Sequence, residues 1–146
     1  MGKVRAVCIS EKRGTCKHPV EKIEVRRDYG IVGDGHAGNW HRQISLLPVE
    51  SANRMREMGL SLRDGAFAEN IVTEGVALNT LPVGTRLRVG ETLLEVTQIG
   101  KECHNDCAIK KAAGVCVMPT DGIFAIVVEE GTIRPGDEIS IEEGTV

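Results

Sequence analysis

The residues best suited to chemistry lie in the stretch from Ile99 to Cys107. Its nine residues hold two of the chain's five cysteines, one of its four histidines, two acids and a lysine. Soft and borderline ligands clustered just after a predicted strand are typical of a metal site or a reactive thiol. The simpler interpretation is a polar turn whose cysteines only pack, as free cysteines commonly do.

Cys103 fits a chemical role better than the other cysteines of this stretch. The residues around it, Lys101 to Asn105, are polar. Lys101 and a protonated His104 would favour the Cys103 thiolate if their side chains turned inward. A thiolate is a nucleophile, a persulfide carrier or a ligand for a soft metal, and the residues alone leave these alternatives open.

A structural zinc site is a weaker interpretation of the same cysteines. Cys103 and Cys107 are four positions apart, and Cys116 follows nine positions later. Structural zinc sites usually repeat a pair of cysteines with two residues between them, and this spacing differs. Cys8 and Cys116 lie in apolar company, so we expect them to pack as small core residues.

A second candidate is the loop Gly33-Asp-Gly-His-Ala-Gly38. Its glycines have the spacing of the dinucleotide-binding fingerprint, but no predicted helix follows them, so we reject that assignment. The functional interpretation is a backbone cradle for an anionic or heterocyclic group, with Asp34 and His36 as hydrogen-bonding or acid–base groups. The alternative is a surface loop in which Asp34 bonds to its own backbone.

Other polar positions complete the set of candidates. The basic residues Lys12, Arg13, Lys17 and Arg42 predict a solvated face or, if their loop folds over a barrel mouth, a phosphate contact. The pair Glu69-Asn70 stands in an apolar stretch and needs partners. We expect it to fix loop backbone through hydrogen bonds.

Composition excludes several classes of function. The chain has 146 residues, a net charge of −3 and 3% aromatic residues, which argues against nucleic-acid binding. No stretch approaches the roughly 20 apolar residues of a membrane helix. The first residues lack the apolar core of a signal peptide, and Ala6 breaks a myristoylation motif. An odd number of cysteines in a domain of this size indicates reduced thiols in a cytoplasm.

The elements that must position these residues are mostly strands. Short apolar segments between glycine-rich turns predict a mostly β fold, a closed or nearly closed β-barrel with a few short helices, in one domain over residues 1–146. The predicted strands are Val4–Ile9, Val20–Val25, Gln43–Leu47, Phe67–Thr73, Thr85–Val89, Thr92–Ile99, Ile123–Val128 and Glu138–Ile141. Helices are predicted from Pro48 to Met58 and from Ala108 to Ala113, with Gly30–His41 irregular.

Seven ordered blocks of the sequence together resemble the MOSC family, named for the C-terminal domain of molybdenum cofactor sulfurases, in its short stand-alone bacterial form. The resemblance covers essentially the whole chain. The blocks are Gly30–Gly38, His41–Leu47, Phe67–Ile71, Leu81–Thr85, Thr97–His104, Gly122–Ala125 and Gly131–Ile139.

The resemblance implies a β-barrel and a molybdenum–pterin cofactor, or another molybdenum species, bound through a cysteine thiolate that maps onto Cys103. Relatives of this family reduce N-hydroxylated compounds or take part in sulfuration of the cofactor. The resemblance further implies that the pocket is lined by Asp34, His36, Arg42, Glu69 and Asn70, with Lys101 and His104 as tuning groups near the thiolate. An enzyme of this kind needs electrons from a separate reductase, because the chain has no flavin or iron–sulfur pattern.

Two departures from the family pattern matter. Ile126 stands where the family commonly has Arg, which puts an anion contact from that strand in doubt, and Gly35 replaces a common Ala. No pyridoxal phosphate is expected, because the chain is too short for the domain that binds it in full-length sulfurases. A non-enzymatic carrier, loaded with sulfur by a cysteine desulfurase or holding the cofactor for transfer, is the alternative function. A structural zinc module ranks last, because the chain has ample apolar residues to fold without metal.

Overall fold

Strands make up most of the regular structure, as the short apolar segments predicted. The computed structural model describes residues 2–12, 17–57, 59, 64–65, 69–99 and 122–142. The cysteine cluster from Cys103 to Cys116 and the helix predicted at Ala108–Ala113 lie outside these residues. The strands are β1 (Gly2–Ile9), β2 (His18–Val20), β3 (Ile23–Arg26), β4 (Gly30–Ile31), β5 (Ile44–Pro48), β6 (Ile71–Glu74), β7 (Arg86–Val89), β8 (Thr92–Ile99), β9 (Ile123–Glu129), β10 (Gly131–Ile133) and β11 (Glu138–Ile141).

Seven of the strands close into a mixed β-barrel, which confirms the predicted fold class. Their order around the barrel is β1, β11, β7, β8, β9, β5 and β6, and β6 pairs with β1 to close the ring. The β5–β6 pair is parallel, and every other pair of the ring is antiparallel. Closure removes the exposed edges that an open sheet of this size would carry.

The inward faces of these strands supply one apolar core. In β1, the inward positions Val4 and Val7 are at most 2% exposed, while Lys3 and Arg5 face outward. Val4 and Val7 are three positions apart because the pairing of β1 with β6 shifts register between Val4 and Ala6, and this irregularity interrupts the period of two of a strand. The core is composed of aliphatic side chains from the ring, joined by Ile23, Val25, Ile31 and Ile133 of the strands outside it.

One helix covers the connection between the two parallel strands. Helix α1 (Val49–Glu57) follows β5 directly and buries Ala52 and Met55, as its sequence predicted. A parallel pair requires a crossover of this kind, because a tight turn can only join antiparallel strands. A short 3-10 turn, Leu78–Thr80, lies where a turn was predicted. No helix within the described residues is long and apolar enough to cross a membrane.

Four predicted details of the strands were wrong. Val20–Val25 is two strands: β2 pairs with β1, whereas β3 joins β4 and β10 in a separate three-stranded sheet, and the exposed Glu21 and Lys22 lie between them. The apolar positions Val20 and Ile23 are three residues apart, and this interruption of the period of two was the sequence signal of the break. Strand β6 begins at Ile71, later than predicted. Pro48 closes β5 instead of opening α1, and the short strands β4 and β10 were missed.

Candidate functional site

Asp34 is the centre of a buried polar network that ties the glycine-rich loop to the end of β1. Its Oδ1 accepts hydrogen bonds from Lys17 Nζ at 2.8 Å and from the backbone N–H of Ser10 at 3.1 Å. Its Oδ2 accepts the backbone N–H of His36 at 3.0 Å. Gly35 N–H in turn donates to the Ser10 carbonyl at 2.7 Å. The loop is therefore fixed to β1 at several points and is not a free surface loop.

Lys17 belongs to this network and not to a solvated basic face. Its side chain and that of Asp34 are both 0% exposed, and Lys17 Nζ also donates to Ser10 Oγ at 3.1 Å. Both alternatives predicted for Lys17, solvation or a phosphate contact, were therefore wrong, because the ammonium is used inside the protein. The sequence gives no local signal for this, since the partner lies 17 positions away.

Gly65 places the Lys17 backbone. Lys17 N–H donates to the Gly65 carbonyl at 2.8 Å, and Gly65 has a φ of +93°. A Cβ at Gly65 would lie 2.2 Å from the Lys17 carbonyl oxygen, a contact that backbone atoms cannot relieve by a rotamer change. Glycine is required here both for the left-handed conformation and for this close approach.

The charge of Asp34 is maintained by its partners. Burial alone would raise the pKa of this carboxyl, but interactions with His36, Lys17 and the Ser10 backbone outweigh that effect and hold the pKa well below its usual range. Hydrogen bonds to the charged form and a neighbouring cation both favour ionisation. The network therefore contains a carboxylate paired with an ammonium at neutral pH.

The His36 imidazole lies against this carboxylate. Its Nδ1 is 3.6 Å from Asp34 Oδ2 and is buried without a hydrogen bond to any described residue. The Trp40 ring lies nearly parallel to the imidazole, with centroids 6.4 Å apart, and Trp40 Nε1 donates to the His36 carbonyl at 2.7 Å. The sequence analysis missed Trp40. The feature that could have found it is that Trp40 is the chain's single tryptophan and lies beside a glycine-rich loop.

The same segment continues to the end of β8. Arg42 Nε donates to Gln98 Oε1 at 3.1 Å, and its guanidinium lies 5.2 Å from the centroid of the Phe124 ring. His41 Nε2 is 3.1 Å from the same Gln98 oxygen, and the His41 carbonyl accepts a hydrogen bond from Thr97 Oγ1. Residues 33–42 thus bridge the C-terminal ends of β1 and β8. Cys103 follows β8 by four positions in the sequence.

Asn70 joins three strands of the barrel through buried hydrogen bonds. Its Oδ1 accepts the backbone N–H of Ser45 at 2.9 Å, and its Nδ2 donates to the Cys8 carbonyl at 3.1 Å. Asn70, Ser45 and Cys8 are each at most 1% exposed. The expected burial of Cys8 is confirmed, and Asn70 does bond to backbone, but to that of strands β5 and β1 and not to the expected loop backbone. Glu69 beside it is also buried, at 1% exposed.

The structure thus brings Asp34 and His36 into contact. Ring contacts lead from His36 through Trp40 to His41, and His41 and Arg42 share the Gln98 oxygen. Glu69 and Asn70 lie directly before β6. Lys101, Cys103 and His104 fall outside the described residues. Within the described part of the chain, no three histidine, cysteine, aspartate or glutamate side chains are grouped as a metal site. A cavity of about 620 Å³ lies at the start of α1, lined by Pro48, Glu50, Ser51, Arg54 and Gly75–Ala77, and contains none of the predicted site residues.

Comparison with known proteins places this geometry in context. The family model described as the MOSC domain matches residues 33–140. The curated protein YflK of Bacillus subtilis strain 168, described as uncharacterized, is 24% identical in an alignment 141 residues long that covers 88% of this chain and 62% of YflK. The chain therefore spans less than two thirds of the length of that relative.

Solved structures share the fold. The YuaD protein of Bacillus subtilis superimposes with a TM-score of 0.71 at 22% identity, covering 95% of this chain and 94% of that one. YiiM of Geobacillus stearothermophilus gives a TM-score of 0.70 at 18% identity, covering 98% of this chain and 76% of that one. YiiM of Escherichia coli gives 0.66 at 19% identity, with 97% and 70% covered. At these identities the likeness concerns the fold.

Proposed function

The chain belongs to the MOSC domain family, whose members are associated with molybdenum cofactor-related proteins, and on that premise we propose that it binds a molybdenum–pterin cofactor with the Cys103 thiolate as metal ligand. The observation that carries this proposal is the family match over residues 33–140, which includes Cys103 and every other predicted site residue. A thiolate is the protein ligand that soft metals prefer. Lys101 and His104 would favour the ionised thiol by their charge.

The described residues fit an anionic, hydrogen-bonding cofactor. Arg42 is half-buried, and among the described residues its guanidinium donates one hydrogen bond, from Nε to Gln98, which leaves its two Nη groups able to bind an anion. His36 Nδ1 faces Asp34 Oδ2 at 3.6 Å, which leaves Nε2 as the ring nitrogen for a cofactor contact. Asp34 and Asn70 already use their side-chain oxygens inside the protein, so we assign them to holding the pocket walls. A direct cofactor contact of either residue, or of Glu69, stays a prediction.

We assign a reductive reaction to this site. An N-hydroxylated compound takes up two electrons and two protons, its N–O bond breaks, and the amine and water leave. When bound, the cofactor supplies the metal at which the electrons reach the N–O bond. The electrons come from a separate reductase, because this sequence has no flavin or iron–sulfur pattern. We place the protein in a reducing cytoplasm, where the Cys103 thiol persists.

Metal and pterin analysis of purified protein tests the binding proposal. Protein made in molybdate-supplied cells that synthesise the cofactor should contain molybdenum and pterin in equal amounts. The pterin is measured as its fluorescent oxidation product. Cys103→Ala should lose both, whereas the matched variant Cys107→Ala should retain both. Wild-type protein that contains neither molybdenum nor pterin would contradict the proposal. Reduction of an N-hydroxylated compound with an artificial electron donor tests the enzymatic step separately.

A carrier function is favoured over catalysis by one feature, the presence of Cys107 and Cys116 close to Cys103 in the sequence. In that version Cys103 carries a persulfide and a neighbouring thiol resolves it as a disulfide, releasing the terminal sulfur as sulfide. Mass spectrometry after incubation with a cysteine desulfurase and cysteine should then find one added sulfur atom on Cys103. The same treatment of Cys103→Ala gives the background, and an unmodified Cys103 in wild-type protein excludes this version.

A further inference from the structure

The buried pair Lys17–Asp34 is more elaborate than a fold contact requires. Two opposite charges that are 0% exposed meet at 2.8 Å, and Ser10 bonds to both of them through its hydroxyl and its backbone N–H. Removing two charges from water costs several kcal/mol per ion, and an apolar pair of the same volume often stabilises a fold equally well. Such a pair therefore invites a functional explanation, and the group that it faces is His36.

Asp34 meets His36 at two atoms through one oxygen. Oδ2 accepts the His36 backbone N–H at 3.0 Å and lies 3.6 Å from its ring nitrogen Nδ1. Nδ1 makes no hydrogen bond to any described residue, and Asp34 Oδ2, 3.6 Å away, is the acceptor that it faces. Oδ1 is meanwhile occupied by Lys17 and Ser10, so the carboxylate cannot rotate to present its other oxygen.

We propose that Lys17 and Asp34 are positioning residues for His36: Lys17 holds the Asp34 carboxylate in place, and the carboxylate keeps the His36 proton on Nδ1 so that Nε2 is the nitrogen presented to a ligand. The tautomer of an imidazole is set by the hydrogen bond that its second nitrogen makes. Hydrogen bonds of this type are often long without ligand and shorten when a ligand binds. The stacked Trp40 ring, at 6.4 Å between centroids, fixes the plane of the imidazole.

This arrangement gives His36 a defined chemical capacity. With its proton on Nδ1, neutral His36 has a lone pair on Nε2 that takes a proton from solvent, and the imidazolium so formed donates that proton to a bound hydroxyl group, which leaves as water. His36 transfers only this proton, and the two electrons that break the N–O bond come from the separate reductase of the proposed reaction. The N-hydroxylated substrates proposed above carry such a hydroxyl, but the positioning of His36 does not depend on that proposal or on a bound metal.

Imidazole ¹⁵N chemical shifts measure this directly in the purified protein. Long-range ¹H–¹⁵N correlation spectra, recorded at a pH where the ring is neutral, separate the protonated nitrogen of an imidazole from the unprotonated one. In wild-type protein, His36 should show Nδ1 protonated and Nε2 unprotonated. The exposed His18 and His41 serve as internal references. A wild-type spectrum with the His36 proton on Nε2 would overturn the proposal without any variant.

Variants then assign the effect to the pair. Lys17→Met should abolish the preference for the Nδ1–H form, whereas Lys22→Met, at an exposed position, should preserve it. The double variant Lys17→Met, Asp34→Asn removes both buried charges together and thereby avoids leaving one unpaired. It should fold even if Lys17→Met does not, and it should still lose the preference. Wild-type tautomer populations in a folded double variant would show that the pair supports only the fold.

Discussion

Replacement of Asn70 by Ala is expected to destabilise the barrel strongly, because this one side chain joins β1, β5 and β6. In the variant, the Ser45 N–H loses the Oδ1 acceptor at 2.9 Å, and the Cys8 carbonyl loses the Nδ2 donor at 3.1 Å. All three residues are at most 1% exposed. Two buried hydrogen bonds that connect the strands are therefore lost, while the backbone bonds of Asn70 to Ser45 and to Cys8 remain.

The size of the effect follows from these two hydrogen bonds. A hydrogen bond contributes about 0.5–1.5 kcal/mol net to stability, so the loss of two predicts a fall of about 1–3 kcal/mol in the free energy of unfolding. That is a large share of the roughly 5–15 kcal/mol that stabilises a typical domain. The lower end applies if a water molecule enters the space that the amide leaves.

Urea unfolding followed by circular dichroism measures the change. The transition midpoint of Asn70→Ala should fall while its slope stays that of wild type, because the same surface is exposed on unfolding. Asn53→Ala is the matched control: Asn53 is exposed on α1, and its Oδ1 contacts only Arg56 Nη1 among the bonds found, at 2.8 Å. Its free energy of unfolding should change by no more than about 0.5 kcal/mol.

A loss for Asn70→Ala no greater than that for Asn53→Ala would refute the reasoning. It would mean that Asn70 contributes nothing to joining the strands and is retained for another purpose, such as contact with a bound molecule. The two roles are separable, because a fold contact lowers stability without ligand. A ligand contact lowers affinity in a protein of unchanged stability.

Two further predictions concern the Asp34 network. The folded state lowers the pKa of Asp34. The contribution of this carboxylate to stability is therefore complete above the unfolded pKa of about 3.9 and is lost as the pH falls below that value. In a series of urea titrations at acid pH, Asp34→Asn should reduce this loss of stability with falling pH, and an unchanged pH dependence would contradict the assignment. Gly65→Ala adds a Cβ 2.2 Å from the Lys17 carbonyl oxygen. Gly33→Ala, at a similar φ of +86°, meets no atom of the described residues within 4 Å apart from its chain neighbours. Both variants lose about 1–2 kcal/mol in the free energy of unfolding because alanine disfavours this backbone conformation. Gly65→Ala should lose about 1–3 kcal/mol more by overpacking. Equal thermal midpoints of the two variants would argue against the close contact.

The sequence by itself determined the class of fold and most of the strands. The apolar run of β1, the short connection between the paired strands β7 and β8, and the helix after Pro48 are local features, and each depends on residues close in the chain. Several blocks at family spacing also led to the MOSC resemblance, which the family match confirms. Local patterns were reliable here because their physical causes are local.

Only the tertiary structure decided which polar residues work together. Lys17 reads as one of several surface cations, yet it is buried against Asp34, and Asn70 reaches Cys8 across 62 positions. Such partners come from segments that neighbour each other in the fold and not in the chain, so no rule of residue spacing identifies them. The break between β2 and β3 has the same cause, because each half pairs with a different sheet. The folded chain brings a loop, a lysine and a histidine together in one hydrogen-bonded network.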